Sequence, residues 1–119
     1  MNSDELKART KQFALRVMRL VEALPKTCVG RAIGSQLVRS GTSVGANYRA
    51  ACRGRSKAEF SAKMGTVAEE ADESCFWLEL IMEGDLLPSE RVQLLLDEAD
   101  ELTAIFTAST KTARFGGQS

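Results

Sequence analysis

Only two prolines interrupt the 119-residue chain, Pro25 and Pro88, and both fall where a helical pattern of apolar residues breaks. Proline lacks a backbone N–H and its ring clashes with the preceding turn, so long helices end near such positions. The first segment runs from about Asp4 to Leu24, with Leu6, Phe13, Val17, Leu20, Val21 and Leu24 on one face, and "LPKT" ends it. The second runs from Thr27 or Cys28 to Arg53. At roughly 100° per residue its buried stripe is Ile33, Leu37, Val44, Tyr48 and Ala51. Arg31, Arg39, Arg49, Arg53 and, if the helix reached that far, Lys57 share the other side. Gly34, Gly41 and Gly45 each cost about 1 kcal/mol relative to alanine in a helix interior. Close packing against a neighbouring helix must compensate.

"GRSKAEF" is a stop followed by a start: Gly54 is expected in the left-handed conformation, and Ser56 with Glu59 forms a capping box. The third helix reaches about Glu83, with Phe60, Met64, Val67, Ala71, Cys75, Leu78 and Met82 inward. Near its end Phe76, Trp77, Leu80 and Ile81 wrap the remaining faces, which implies a second buried face, in a deeper core or against another subunit. After "GDLLPSER", with Ser89 as N-cap, the fourth helix carries Val92, Leu95, Ala99, Leu102 and Phe106 inward and fades through "STKTARFGGQS". Short connections imply antiparallel neighbours. The expectation is an all-α, antiparallel up-down-up-down four-helix bundle, about 70–80% helical, forming one domain over 1–113 with a disordered tail at 114–119.

The composition closes off much chemistry. There is no histidine, and Cys28, Cys52 and Cys75 are far apart with no Cys-x-x-Cys pair. Zinc fingers, histidine-based triads and His-Glu zinc motifs are thereby excluded, and the thiols read as small core residues. No catalytic residue, metal or cofactor is expected. No apolar run approaches the roughly 18 residues of a membrane span, and "MNSDELKARTKQF" is charged where a signal peptide has its apolar region. These features predict a cytoplasmic protein without a membrane partner.

Zero net charge conceals an asymmetry. Residues 1–57 hold twelve basic side chains against three acidic ones, and residues 58–119 hold four against thirteen. Either the halves neutralise each other across helix contacts, or the basic half faces a polyanion. "GTSVGANYR" is no phosphate loop, since it lacks the Gly-Lys-Ser/Thr ending and follows no strand. Glu69, Glu70, Asp72 and Glu73 resemble the carboxylates of di-iron bundles, but without histidine they read as a solvated face or as partners for arginines. Ser40, Ser43 and Asn47 have no partner base and fit polar satisfaction at a helix or subunit contact. The arginine stripe is the feature with functional promise, because arginines spaced along a helix face can meet successive phosphates. Tyr48 projects to the buried side and is not placed to stack on a base.

"QLVRSGTSVGANYRAACRGRSKAEF" followed by "AEEADESCFWLEL" resembles the four-helix bundle proteins encoded in intervening sequences of bacterial 23S rRNA genes. The similarity rests on Gln36, Leu37, Arg39, Ser40, Ser43, Val44 and Asn47, then Ser56, Lys57, Glu59 and Phe60, then Glu73, Trp77 and Leu78. It spans roughly residues 10–110. The chain departs from the family pattern at Arg49, where alanine is common, and at Ala50, where glutamate is common, making this version more basic. The resemblance implies a homo-oligomer, commonly a ring-like pentamer, with no enzymatic activity established for the family. It also implies kinship in fold with accessory proteins of diversity-generating retroelements, which bind nucleic acid and a reverse transcriptase through a basic surface. Two functions follow as expectations. One is nucleic-acid binding through Arg31, Arg39, Arg49, Arg53 and Lys57, with Ser40, Ser43, Asn47, Tyr48, Phe76, Trp77, Leu80 and Ile81 at helix or subunit contacts. The other is a structural or protein-interaction module whose basic face is neutralised by acidic helices.

Overall fold

The computed structural model describes residues 1–116, with side chains through Lys111. Four helices make up the described chain: α1 (Ser3–Glu22), α2 (Cys28–Cys52), α3 (Lys57–Glu83) and α4 (Ser89–Gly116). They pack as a bundle in which α2 lies against α1 and α3, and α4 lies against α3 and, over a much smaller contact, α1. Thr10, Val17 and Val21 of α1 meet Gly45, Gly41 and Gly34 of α2 in turn, the register of antiparallel neighbours. Helix accounts for 86% of the described residues, above the expected share, because α4 runs on to Gly116. The first three residues of the expected tail are thus drawn into that helix, and 117–119 lie outside the described residues.

Each helix start carries a local reason. Asn2 caps α1 by accepting from the Glu5 N–H, Thr27 caps α2 by accepting from Gly30, and Ser56 caps α3 by accepting from Glu59. The Glu59 carboxylate reaches back one residue further than a capping box requires, accepting from the Arg55 N–H at 3.2 Å. Two expectations about turns fail. Gly54 is not left-handed: among the described residues the one with positive φ is Asp85, at 56°. Its position follows from the end of α3, where Asp85 N–H donates to Met82 O and Leu86 N–H to Ile81 O, the paired bonds of a Schellman motif. A Cβ added at Gly54 would instead press on the Ala51 carbonyl oxygen at 3.1 Å, with the Phe60 backbone nitrogen at 3.4 Å. Ser89 already lies inside α4 rather than capping it, and Pro88 precedes the helix, its carbonyl accepting from Arg91.

The core holds nearly all the residues that periodicity placed inward, including Phe13, Val17, Leu37, Val44, Met64, Val67, Leu78, Val92, Leu102 and Phe106. Val21, Ile33, Phe60 and Met82 are half-buried at its margin. Tyr48 is buried against Phe106, ring centroids 5.3 Å apart, and Ile81 is fully buried, so the bundle itself accounts for both side chains expected at a subunit contact. Among the described residues the core also contains three polar side chains, Thr10, Ser40 and Ser74, and none is left without a partner. Thr10 donates to Leu6 O at 2.8 Å, and the Ser74 and Ser40 hydroxyls bond across α3 and α2 at 3.0 Å. Of the cysteines only Cys75 is in the core; Cys28 is exposed and Cys52 half-buried, so the reading of all three as core residues is corrected.

Candidate nucleic-acid interface

The seam between α1 and α2 opens into a groove of about 580 Å³ near the start of α1 and the end of α2. Lys7 and Lys11 stand on its α1 wall, and Arg49 of α2 and Arg53, which caps the C-terminus of α2, stand on the other. The lining between them is small, with Ala8, Ala14, Thr42, Gly45 and Ala46, and no acidic side chain contributes. Gly45 sets how closely the walls approach, since a Cβ there would come within 3.2 Å of the Thr10 hydroxyl oxygen. Among the described residues none of the four cations makes an ion pair.

The five predicted phosphate contacts therefore separate. Arg49 and Arg53 share this groove. Arg31 lies towards the opposite end of the same seam, beside Lys26 in a second groove of about 340 Å³. Lys57 is exposed but opens α3, because α2 ends at Cys52. Arg39 pairs with Glu70 at 3.3 Å and with Glu73 of α3, the arrangement expected of a structural arginine. Lys7 and Lys11 were missed by reading α2 alone. The available signal was their spacing of four residues, which puts both on one flank of the α1 apolar stripe.

The remaining polar candidates bond locally. Ser43 donates to Arg39 O, and Asn47 donates through Nδ2 to Ser43 O at 2.9 Å, both within α2. Trp77 is half-buried and donates through Nε1 to Glu73 at 3.1 Å, Leu80 is half-buried, and Phe76 is exposed. Arg9, unremarked in the sequence, grips Glu98 through two 2.8 Å hydrogen bonds and also pairs with Glu101, which ties α1 to α4 and raises the affinity of its guanidinium for its proton. Among the described residues no three His, Cys, Asp or Glu side chains converge as a metal site, and no helix is long and apolar enough to cross a membrane.

A family model described as 23S rRNA-intervening sequence protein matches residues 4–108. The chain belongs to that family. Its fold is also similar to the crystal structure of a protein of unknown function from the S23 ribosomal protein family of Bacteroides thetaiotaomicron VPI-5482. The two are 29% identical with a TM-score of 0.85, over 94% of this chain and 100% of the other. No curated protein matches. Membership of the 23S rRNA-intervening sequence family thus accounts for the bundle.

Proposed function

We propose that this protein is a cytoplasmic, non-enzymatic, homo-oligomeric accessory protein that binds RNA or DNA by its phosphate backbone in the groove between α1 and α2. The observation that carries the reading is the convergence of Lys7, Lys11, Arg49 and Arg53 on one groove without an acid in its lining. Cations that neutralise phosphates release condensed counterions, so such a groove favours polyanions most at low salt. The lining offers no aromatic side chain for base stacking, and Tyr48 is buried. Contacts would therefore position a backbone without reading sequence. The oligomer fits the family resemblance, in which a pentamer is common. A second reading, a structural or protein-interaction module, is favoured by one observation: Arg39 is engaged by Glu70 and Glu73.

Affinity measured against salt separates the two. Each lost duplex phosphate contact lowers the slope of log affinity against log salt by about 0.9. Arg49→Ala with Arg53→Ala should weaken binding and flatten the slope by about two, whereas Arg39→Ala should leave the slope unchanged. The fold should survive, because exposed truncations usually shift stability by less than about 0.5 kcal/mol. Absence of binding to RNA and DNA at low salt, or an unchanged slope in the double variant, removes the nucleic-acid reading.

A further inference from the structure

Phe76 and Leu94 are both large apolar side chains left exposed on helices, and their surroundings carry opposite charge. Phe76 projects from α3 in line with Glu69, Asp72, Glu79 and Glu83, all exposed and within about 60° of it at helical spacing. No basic residue interrupts α3 from Met64 to Glu83. Leu94 lies in the wedge between α1 and α4, a groove of about 250 Å³ with Leu20 and Leu95 on its floor. Arg16, Arg19 and Arg91 surround it with one acid, Glu90, and among the described residues none of the three arginines is ion-paired.

Phe76 is also held in place. Its ring meets Trp77 edge-on at 5.1 Å, the Trp77 indole donates to Glu73, and Glu73 is gripped by Arg39. An anchor whose orientation is fixed before contact loses less freedom on docking, and aromatic anchors in the middle of a contact carry much of its energy. From this geometry we infer that the Phe76 stripe of one copy docks in the α1–α4 groove of a second copy, with Phe76 against Leu94 and Leu95 and the acids of α3 facing Arg16, Arg19 and Arg91. The occupant is a second copy because this chain itself supplies both the acidic aromatic ridge and the basic apolar groove. The two surfaces lie on different helices, so the contact is head-to-tail and generates a ring or a filament rather than an isologous dimer. The inference rests on the oligomeric part of the reading above and names its surfaces. It leaves Lys7, Lys11, Arg49 and Arg53 free.

Charge reversal of each surface tests it, read by light scattering with circular dichroism as the check of folding. The wild type should exceed the 13.0 kDa monomer. A chain with R16E, R19E and R91E, and one with D72K, E79K and E83K, should each collapse to monomer at micromolar concentration. All six reversals in one chain make the surfaces complementary again and should restore the oligomer. Phe76→Ser and Leu94→Ser, at exposed positions that the fold does not need, should each release the oligomer as well. A monomeric wild type overturns both this interface and the oligomeric part of the proposed function. An oligomer that persists in the charge-reversed chains, or in both serine variants, overturns the interface alone. Loss on reversing the stripe but not the groove assigns Phe76 to some other partner surface, and overturns the proposal too.

Discussion

Gly41 and Gly65 both occupy helix interiors, where each costs about 1 kcal/mol relative to alanine, yet their surroundings are opposite. A Cβ on Gly41 would lie 2.9 Å from both methyl carbons of Val17, while one on Gly65 would meet nothing within 4 Å. Gly65→Ala should therefore raise stability by about 1 kcal/mol. Gly41→Ala forces α1 away from α2 and should lower it, since overpacking costs about 1–3 kcal/mol. Urea denaturation of the two variants measures the contrast. Sequence alone showed that the α2 glycines needed a packing partner. It could not name Val17, because which rows of two helices meet depends on their crossing, and periodicity does not encode that. Arg39 illustrates the same limit: its position on the polar side of α2 was legible, but its choice of Glu70 and Glu73 over a phosphate depends on where α3 lies.

At the scale of elements, the two ends of α3 are fixed by different means. Ser56 announces a start through its own side chain, within four residues of sequence. The stop at Gly84–Asp85 depends on which residue takes the left-handed conformation, and here the chain assigns it to aspartate although a glycine sits one position earlier. A left-handed residue with a Cβ carries a penalty of about 1–2 kcal/mol, smaller for Asp and Asn. Asp85→Gly should consequently raise stability by about 0.5–1 kcal/mol, partly offset by the freer unfolded chain. A shift in urea midpoint with unchanged slope would establish it. The late third helix also divides in a way that composition did not reveal. Ile81 turns into the core, Trp77 packs at its margin, Leu80 is half-buried, and Phe76 faces outward.

For the molecule as a whole, burial couples stability to alkaline pH. Desolvation pushes the Tyr48 hydroxyl up from 10.0 to about 12, with the neighbouring Cys52 adding to the rise. Desolvation likewise pushes the Cys75 thiol up from 9.0 to about 12. Both groups are neutral when protonated, so the folded protein keeps protons that the unfolded chain has released. Stability from these groups is full below about pH 9 and declines as pH rises through about 12. Urea midpoints across that window should fall, and Cys75→Ala, although it costs some packing, should move the onset of the fall upward. The bundle itself was legible because four amphipathic stripes have one economical way to bury themselves together. The groove was not, because half of its charge stands on α1 and half on α2, and only the antiparallel register brings Lys7 and Lys11 opposite Arg49 and Arg53.

The slight contact between α1 and α4 leaves the first helix held chiefly by α2 and by the Arg9 clamp on Glu98 and Glu101. Helices secured along fewer sides open at lower free energy than the rest of a domain. Deuterium should accordingly enter the amides of α1 well before those of α3, which is flanked by α2 and α4, and Arg9→Ala should hasten that entry in α1 alone. The groove is made by α1 as much as by α2, so each such opening also dismantles it. A polyanion seated there would slow the exchange of α1 from a distance, reporting its own occupancy through the breathing of the helix that holds it.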